Sequence, residues 1–402
     1  MYFARLCVTL HICKMLMKER RNIAILGSTG SIGRQTLDIM SEYPTLFRPW
    51  LLTANSSADL LIEQARKHLP KHVVIASENL YEKVRDALAD LSISVHSGSE
   101  AIAHLVADEE VDTVVTAMVG YSGLESTIAA IKANKNIALA NKETLVVAGE
   151  LITQLLKEST SKLYPVDSEH GAFYQCLVGE RHEDVTKLIL TASGGPFRNT
   201  PIEQLPNMTA ADALKHPNWD MGSKITIDSA TMMNKGFEML EAKWLFGIDH
   251  DRIEIVVHPQ SIVHSMVEFC DGSVKAQLGL PDMHLPIRYA LGLPGKRLAT
   301  QSHKMTIDDY CNLTFERPDF KKFPLLDAAY HAAREGGNMA CIMNAANEIA
   351  VAAFLRDQIR FTQISEIVTK AMGAVKFIQA PSYEDYVNTN TEARKYAESL
   401  II

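Results

Sequence analysis

The chain has 402 residues, of which 47% are hydrophobic and 22% charged, which is more than one core usually holds, so we expect two or three domains. The 40 basic and 48 acidic residues give a formal charge of -8, which argues against a general nucleic-acid-binding protein and restricts any phosphate site to a local cluster. The six cysteines form no C-x-x-C pair, as expected of reduced thiols in a cytoplasmic protein.

The first 17 residues are predicted to be an extension that precedes the first domain. Residues 6–12 are apolar and follow Arg5, a pattern that faintly resembles a secretory signal. We reject a signal peptide because the run is short, contains His11 and lacks a small-residue cleavage site. Met15 and Met17 are alternatives to Met1 as the start of the protein. No apolar run approaches the length of a transmembrane helix, so no membrane partner is expected.

A strand, a glycine turn and a helix open the first domain. Residues 21–26 form the predicted strand, the turn reads Gly27-Ser-Thr-Gly30-Ser-Ile-Gly33, and residues 35–40 take up a helical pattern. Glycine lets the backbone approach a pyrophosphate closely, and a helix N-terminus supplies free N–H groups. The turn therefore indicates a dinucleotide site, although its G-x-x-G-x-x-G spacing differs from the commoner G-x-G-x-x-G.

Further α/β units predict a parallel, doubly wound sheet. Strands are expected at residues 50–53, 73–76 and 111–117, and helices at residues 80–91 and 124–134. The strand at 50–53 ends in Ala54-Asn55-Ser56-Ser57, where NAD-binding folds usually place an acid for the ribose hydroxyls. Neutral side chains tolerate a 2′-phosphate at that point better than an acid does, so NADP(H) is favoured over NAD(H).

A lysine follows the next strand. Residues 137–139 form a buried strand that leads into Ala140-Asn-Lys-Glu143, at the edge where such sheets bind ligands. Lys142 is therefore either an electrostatic group for a ligand or a solvated lysine at a strand end.

Two carboxylates follow the strand at residues 163–166, in the segment Asp167-Ser-Glu-His170. They lie on the same side of the chain if the backbone stays extended. With a third carboxylate from elsewhere they would suit Mg²⁺ or Mn²⁺, which take oxygen ligands. The alternative, which the short segment alone favours, is a cap on a helix that begins near Gly171.

Two loops have the composition of a ligand site. A strand ends in Ser193-Gly-Gly-Pro196, which is either a cradle for an anion or a plain turn. Residues 213–222 combine a helix stop, a proline, a glycine and Trp219, which together suggest a lid over a site. His216 in that loop is either a ligand-binding residue or a surface histidine.

Residues 226–241 place anion binders and carboxylates on one short segment. Ile225 and Ile227 alternate with polar residues as in a strand, and Asp228 or Ser229 can cap the helix that follows. The helix is expected from the apolar spacing of Met233, Phe237, Leu240 and Trp244. Asn234, Lys235 and Glu238 form a polar stripe three and four residues apart, so they can address one ligand. The alternative is a surface helix with a Lys–Glu pair.

The remainder of the chain predicts a second domain and a helical end. Strands at 253–257, 265–269 and 274–278 indicate an antiparallel-leaning α+β domain in which His258, His264 and His284 are expected to be structural. Periodicity fades between residues 294 and 318. Four helices are expected beyond it, at residues 325–334, 339–355, 364–375 and 383–400.

Taken together, these motifs resemble the 1-deoxy-D-xylulose 5-phosphate reductoisomerase family over nearly the whole chain after Met17. Eight ordered matches are highly specific where each alone is not. The matching segments are Gly27-Ser-Thr-Gly-Ser-Ile-Gly33, Ala140-Asn-Lys-Glu143, Pro165-Val-Asp-Ser-Glu-His170, Ser193-Gly-Gly-Pro-Phe197, His216-Pro-Asn-Trp219, Asp228-Ser-Ala-Thr-Met-Met-Asn-Lys-Gly236, His258-Pro-Gln-Ser261 and Asn344-Ala-Ala-Asn-Glu348. The resemblance implies an NADPH- and metal-dependent enzyme of the non-mevalonate isoprenoid pathway, which rearranges and reduces 1-deoxy-D-xylulose 5-phosphate to 2-C-methyl-D-erythritol 4-phosphate.

The resemblance also implies roles for individual residues. The divalent metal, Mg²⁺ or Mn²⁺, would be held by Asp167, Glu169 and Glu238, which with Lys142 make up the catalytic set. The substrate phosphate would be bound by Ser193, His216, Ser229, Asn234 and Lys235. Ser168 and Lys142 would address the hydroxyl and keto oxygens, and Trp219 and Met283 would close over the carbon chain. The cofactor would be held by Gly27, Ser28, Thr29, Gly30, Ser31, Ile32, Gly33, Asn55, Asn141, Glu143 and Gly222.

The implied architecture is α/β and homodimeric. It comprises the extension at 1–17, a Rossmann-like NADPH-binding domain at 18–165, an α+β catalytic domain at 166–295 with a lid at 213–223, a linker at 296–318 and a C-terminal helical bundle at 319–402. One departure concerns the cofactor. Many members carry Lys or Arg at the end of the second strand, whereas this chain has Asn55, so the sequence does not determine how strongly NADPH is preferred over NADH. NADPH is still expected, because no acid opposes its 2′-phosphate.

Alternatives to this activity come from other classes. Another NADP-dependent oxidoreductase acting on a small phosphorylated aldehyde or ketone would need a nucleophilic cysteine, and Cys176 has no recognisable activating setting. A sugar-phosphate lyase or a cofactor-sensing binding protein is disfavoured by the intact carboxylates and the intact glycine turn. Within the favoured reaction, a retro-aldol and aldol sequence is preferred over a 1,2-alkyl shift, and the sequence does not separate the two.

Overall fold

The computed structural model describes residues 20–401 except 216–218, 220, 296 and 301–303. The predicted extension at 1–17 and His216 lie outside the described residues. Among the helices in the described part of the chain, none is long and apolar enough to cross a membrane.

The N-terminal part is a parallel sheet of seven strands flanked by helices. The strands are β1 (Arg21–Leu26), β2 (Phe47–Ala54), β3 (His72–Ile75), β4 (Ser94–Ser97), β5 (Thr113–Thr116), β6 (Asn136–Leu139) and β7 (Leu163–Pro165). The helices are α1 (Ser31–Glu42), α2 (Ala58–His68), α3 (Tyr81–Ala87), α4 (Ser99–Val106), α5 (Leu124–Lys132) and α6 (Glu143–Lys157). The strand order is β4-β3-β2-β1-β5-β6-β7, and each neighbouring pair is parallel. The predicted Rossmann-like sheet is confirmed.

The strand order determines where a ligand can enter this sheet. The chain runs outward from β1 to β4 and then returns to β5 on the other side of β1. A crevice opens at such a switch point, beyond the carboxyl ends of the strands. The turn after β1 and the loop after β5 flank this crevice, and β1 itself is completely buried from Ile23 to Leu26.

A second, smaller sheet follows, with strand order β11-β10-β8-β9. Its strands are β8 (Val185–Ala192), β9 (Ile253–Val257), β10 (Val263–Phe269) and β11 (Val274–Leu278). Strand β10 is antiparallel to β8 and β11, while β8 and β9 are parallel. The helices of this part are α7 (Ser168–Leu177), α8 (Ala210–Ala213), α9 (Ser223–Ala230), α10 (Met233–Phe246) and α11 (His284–Gly292). The predicted α+β part is therefore confirmed.

The described part of the chain ends in five helices, of which all but the short first one share a core with the second sheet. They are α12 (Ile307–Tyr310), α13 (Leu325–Glu335), α14 (Met339–Leu355), α15 (Phe361–Ala374) and α16 (Tyr383–Ser399). Short 3₁₀ helices lie at Glu78–Leu80, Gly120–Gly123, His182–Asp184, Ile202–Asn207 and His250–Arg252. Phe237 of α10, Leu188 of β8 and Ile342 of α14 belong to one hydrophobic cluster. The four predicted C-terminal helices are confirmed, with α15 beginning earlier than expected.

The expectation of a strand around Ile225 and Ile227 was wrong. These residues lie in α9, whose buried residues Thr226, Ile227 and Ala230 follow a helical spacing that the short alternation concealed. Neither Asp228 nor Ser229 caps α10, because the chain turns at Met232, which has a left-handed φ of 62° and precedes the helix. The sequence patterns also missed strand β4 and the helices α2, α4, α6, α11 and α12.

Candidate active site

A cavity of about 500 Å³ lies at the crevice of the first sheet and extends to α7, α9, α10 and the second sheet. Sixteen of the residues predicted for the site line it: Gly30, Ser31, Ile32, Lys142, Glu143, Asp167, Ser168, Glu169, Ser193, Trp219, Gly222, Ser229, Asn234, Lys235, Glu238 and Met283. Residues from distant parts of the sequence therefore meet around one space.

Three carboxylates converge on one side of the cavity. Asp167, Glu169 and Glu238 each offer an oxygen atom, and these atoms lie within 4.8 Å of one another. Such an all-oxygen donor set fits a hard divalent cation. Glu238 comes from α10, whereas Asp167 and Glu169 come from the start of α7.

The expected extended backbone between Asp167 and Glu169 was wrong, because Ser168 already begins α7. Asp167 is the N-cap of that helix and accepts a hydrogen bond from the Glu169 backbone N–H at 3.4 Å. The cap and the cation site are therefore compatible, since one carboxylate has two oxygens. Ser168 donates to Oε2 of Glu169 at 2.5 Å and fixes that carboxylate further.

Two buried lysines neutralise these carboxylates. Lys142 Nζ lies 2.5 Å from Asp167 Oδ2 and 2.9 Å from Glu238 Oε1, and it also donates to Asn234 Oδ1 at 3.0 Å. Lys235 Nζ donates to Glu238 Oε2 at 2.5 Å and to Glu169 Oε1. Burial opposes the charged form of both lysines, but the carboxylates outweigh it and raise the pKa of each ammonium. Both lysines thus stand beside the carboxylate cluster of the cavity in charged form.

The pKa values of Asp167 and Glu169 are shifted in opposite directions. Burial opposes ionisation of Asp167, but the charge of Lys142 and the neighbouring imidazole of His170 outweigh it and hold the pKa of Asp167 well below its usual range. Burial, together with the charge of Glu238, raises the pKa of Glu169 to about 7 despite the attraction of Lys235. Glu169 therefore holds a proton near neutral pH more readily than Asp167 does.

His170 and Glu241 form a buried pair behind the carboxylates. His170 Nε2 lies 2.8 Å from the backbone oxygen of Glu238, and its Nδ1 lies 3.6 Å from Asp167 Oδ1 and 3.5 Å from Glu241 Oε2. Burial opposes the charged imidazole, but Glu241 and Asp167 outweigh it and raise the pKa of His170 to about 9. The sequence offered one signal for this contact, the spacing of three residues between Asp167 and His170.

Four of the five residues predicted for the substrate phosphate line the same cavity. Ser193 and Ser229 line the cavity, and Gly195 packs so closely on α9 that a Cβ there would lie 2.4 Å from the Ser229 backbone oxygen. Asn234 also donates to Glu238. The polar stripe of α10 therefore contacts the carboxylate cluster directly, so phosphate and metal groups are adjacent.

Part of the predicted lid at 213–223 lies among the described residues. Trp219 and Gly222 line the cavity, and the Trp219 ring lies 6.2 Å from that of His264. Met283, just before α11, lines the cavity as well. Burial lowers the pKa of His264 to about 4, so this histidine is a neutral wall residue.

Some of the residues predicted for the cofactor line the cavity, and the others lie behind this lining. Gly27 has a φ of +82°, and a Cβ at Gly33 would lie 2.3 Å from the Gly27 oxygen, so the turn requires glycine at both positions. Gly30, Ser31 and Ile32 project to the cavity from this turn. The fit to a pyrophosphate at the start of α1 therefore holds.

Six predicted cofactor residues fall outside the cavity lining: Gly27, Ser28, Thr29, Gly33, Asn55 and Asn141. Ser28 is buried and donates to Gln64 Oε1 at 2.7 Å. Asn141 is buried and donates to the backbone oxygens of Met118 and Gly120 at 2.9 Å, so it fixes the loop after β5. Asn55 is exposed.

Sequence reasoning missed an ion-pair chain on the cavity wall. Lys224 Nζ lies 2.8 Å from Glu143 Oε1 and 2.8 Å from Asp228 Oδ2, and all three residues line the cavity. The spacing of four residues between Lys224 and Asp228 was the available signal, but it was concealed by the incorrect strand assignment. His258 lines the cavity too, yet it is structural as expected, because its Nε2 accepts from the Ile262 and Val263 N–H groups at 3.1 Å.

The raised pKa of Glu169 predicts pH-dependent metal binding. A proton on Glu169 competes with the cation, so metal affinity should be full above the pKa of about 7 and fall below it. We expect the apparent Kd for Mg²⁺ to be about tenfold larger at pH 6 than at pH 8, with proton release on binding. Calorimetric titration in two buffers of different ionisation enthalpy measures both quantities. Equal Kd values at the two pH values in the wild-type chain would contradict the prediction, and Glu169→Gln is the control that removes the titrating group.

Comparison with known proteins finds the same family along nearly the whole described chain. A family model described as 1-deoxy-D-xylulose 5-phosphate reductoisomerase matches residues 23–149, and two models of its C-terminal domains match residues 163–246 and 278–396. Proteins named 1-deoxy-D-xylulose 5-phosphate reductoisomerase from Bacteroides fragilis and Porphyromonas gingivalis are each 56% identical, over 95% of this chain and 98% of their own length.

Two solved structures give the same result. The reductoisomerase of Zymomonas mobilis in complex with NADPH is 42% identical, has a TM-score of 0.88 and covers 95% of this chain and 99% of its own. A reductoisomerase in complex with NADPH, fosmidomycin and magnesium is 40% identical, has a TM-score of 0.91 and covers 95% of this chain and 98% of its own. The similarity therefore extends over both sheets and the C-terminal helices.

Proposed function

Since the chain belongs to the 1-deoxy-D-xylulose 5-phosphate reductoisomerase family, we propose that it converts 1-deoxy-D-xylulose 5-phosphate to 2-C-methyl-D-erythritol 4-phosphate with NADPH and a divalent metal. The observation that carries the proposal is the meeting, in one cavity, of an all-oxygen cation set, two buried ammonium groups and a glycine turn at a helix start. The product belongs to the non-mevalonate route to isoprenoids.

The residues present fit both a metal and a dinucleotide. Asp167, Glu169 and Glu238 would hold Mg²⁺ or Mn²⁺, and Gly30, Ser31 and Ile32 would contact NADPH. When bound, the cation stabilises negative charge that develops on adjacent substrate oxygens, and NADPH supplies the hydride. The chain's part is to bind the sugar phosphate between these two sites.

The phosphate end of the substrate is bound by groups that lie next to the metal carboxylates, since Lys235 and Asn234 contact Glu238. Ser193, Ser229 and Asn234 offer hydrogen-bonding groups, and Lys235 offers a positive charge. Binding at this unreactive end orients the carbon chain and reduces the entropy lost at the reacting carbons. Trp219 and Met283 line the cavity, where they would cover the carbon chain of the substrate and exclude water.

Lys142 serves the reacting end. Its ammonium is held charged and oriented by Asp167, Glu238 and Asn234, so it costs no reorganisation when charge develops on the keto oxygen. Ser168 at the start of α7 donates its proton to Glu169, so its hydroxyl oxygen can accept a hydrogen bond from a substrate hydroxyl in the cavity. These roles apply to a retro-aldol and aldol sequence, the route we favour, and also to a 1,2-alkyl shift.

Further parts of the proposal concern organisation. Residues 18–165 form the NADPH-binding domain, residues 166–295 the catalytic domain with its lid at 213–223, and residues 319–402 the C-terminal bundle after a linker at 296–318. The enzyme is a cytoplasmic homodimer, as the family resemblance implies. A thiol-dependent dehydrogenase is disfavoured, because burial raises the pKa of Cys176 to about 11 and this residue lies outside the cavity lining.

The assay for this function follows NADPH absorbance. We expect purified protein with Mg²⁺ or Mn²⁺ to oxidise NADPH only after 1-deoxy-D-xylulose 5-phosphate is added, and to stop when the metal is removed by a chelator. A flat trace with folded protein, metal and substrate present would refute the assignment. NADH in place of NADPH is the cofactor control: turnover should be much slower, and parity would show that Asn55 leaves the site without a 2′-phosphate preference.

A further inference from the structure

Asn347 and Glu348 are adjacent residues of α14 that lie outside the cavity lining, yet each binds a segment that forms its wall. Glu348 Oε1 accepts hydrogen bonds from the Tyr121 backbone N–H at 3.1 Å and from Asn344 Nδ2 at 3.0 Å. Its Oε2 accepts from the Arg394 guanidinium on α16. The Glu348 side chain is 15% exposed and is thus held on both oxygens.

The segment that Glu348 binds is the loop after β5. A Cβ at Gly120, whose φ is +71°, would lie 2.5 Å from Glu348 Oε1, so the loop backbone rests directly on this carboxylate. From the other side, Asn141 donates to two backbone oxygens of the same loop. The loop begins with Ala117, Met118 and Val119, which line the cavity.

This loop also touches the glycine turn. A Cβ at Gly27 would lie 2.7 Å from the Ala117 backbone oxygen, and the Ala117 N–H donates to the Leu26 oxygen at 2.8 Å. The position of residues 117–119 is therefore coupled to the wall where a dinucleotide would lie, at the switch point of the sheet.

Asn347 binds a second segment of the cavity wall, helix α9, through Asp228. It is fully buried, and its Nδ2 donates to Asp228 Oδ1 at 2.8 Å. Asp228 Oδ2 in turn holds Lys224, which also pairs with Glu143 at the start of α6. Asn347 thus fixes the orientation of the carboxylate from which this ion-pair chain extends along the cavity.

We propose that Asn347 and Glu348 are positioning residues for NADPH, through which the C-terminal helices fix the two walls of the cofactor half of the cavity. Neither residue contacts the metal carboxylates in the described structure. The inference rests on the proposed function, since NADPH is the ligand that these walls would contact. It predicts that a change in the C-terminal helices alters cofactor affinity while metal affinity is unaffected.

The test measures NADPH and Mg²⁺ binding separately in the full-length chain. We expect Glu348→Ala to raise the Kd for NADPH about tenfold or more, because a hydrogen bond to a charged group is lost and the loop is released. Glu348→Gln keeps an oxygen acceptor and should stay within about threefold of wild type. NADPH fluorescence reports cofactor binding, and calorimetry reports Mg²⁺ binding, which should be unchanged.

Two further variants keep the test decisive. Asn347→Ala should raise the Kd for NADPH in the same direction, and it replaces Glu348→Ala if that chain does not fold. Glu366→Ala, at an exposed position on α15, is the matched control and should bind NADPH like wild type. Unchanged NADPH affinity in folded Glu348→Ala or Asn347→Ala would overturn the proposal, as would equal weakening of NADPH and Mg²⁺ binding with a lowered Tm. Failure of the wild-type chain to bind NADPH would refute the proposed function instead.

Discussion

Glu238→Gln is expected to lower kcat about a thousandfold or more while changing the Kd for NADPH less than about twofold. Glu238 is 1% exposed and supplies one of the three cation ligands. It also accepts hydrogen bonds from Lys142, Lys235 and Asn234, so it holds the groups at both ends of the substrate site. Glutamine keeps the volume but removes the charge that binds the cation. NADPH oxidation and NADPH fluorescence measure the two quantities.

The matched control for this change is Glu254→Gln, an exposed residue of β9 that pairs with Lys187. It should leave both kcat and NADPH binding at wild-type values. If Glu238→Gln reduced NADPH binding as much as turnover, Glu238 would have a structural role, and the assignment of the metal site would be wrong.

Lys142→Gln is expected to reduce kcat by about a hundredfold to a thousandfold, yet it should not weaken Mg²⁺ binding. The ammonium of Lys142 is preorganised beside the metal carboxylates, where it stabilises charge that develops on the substrate. The same ammonium competes with a cation for Asp167 and Glu238, so its removal should leave the Kd for Mg²⁺ equal to or lower than that of wild type. This response is opposite to that of Glu238→Gln.

Turnover and Mg²⁺ calorimetry on the same preparation distinguish these cases. Removing Lys142 takes one cationic partner from the buried carboxylates Asp167 and Glu238, so the metal-free variant should also unfold at a lower Tm and recover when Mg²⁺ is added. Lys162→Gln, at an exposed position before β7, is the control for loss of a lysine. Weaker Mg²⁺ binding in Lys142→Gln would show that the lysine supports the site structurally, and would contradict the catalytic role.

The spacing between Lys235 and Glu238 connects these predictions. Both residues lie on α10, three positions apart, and their side chains are in direct contact at 2.5 Å. Lys235 also bonds Glu169 of α7, so one helix joins the phosphate-binding group to the cation ligands. The distance between the anchored and reacting ends of the substrate is therefore fixed by the backbone of a buried helix.

Several features could be read from the sequence because they depend on local chemistry. The turn at 27–33 needs glycine at positions 27 and 33, where the backbone leaves no room for a Cβ, and the alternation of strands and helices follows from hydrophobic periodicity. The donors of the metal site are the residue types that a hard cation prefers. The sequence thus indicated the α/β architecture, the C-terminal helices and sixteen residues of the cavity lining.

Other features were decided only by tertiary packing. Ile225 and Ile227 lie in a helix because α9 is buried on several sides, which a short alternating pattern does not reveal. A series of polar contacts connects Asn347 through Asp228 and Lys224 to Glu143. Most of these residues lie far apart in the sequence, so no local pattern predicts the series. Burial likewise raises the pKa of Glu169, since desolvation depends on everything packed around the group. The sequence by itself determined which chemical groups are available, while the fold decided which of them meet and which hold a proton.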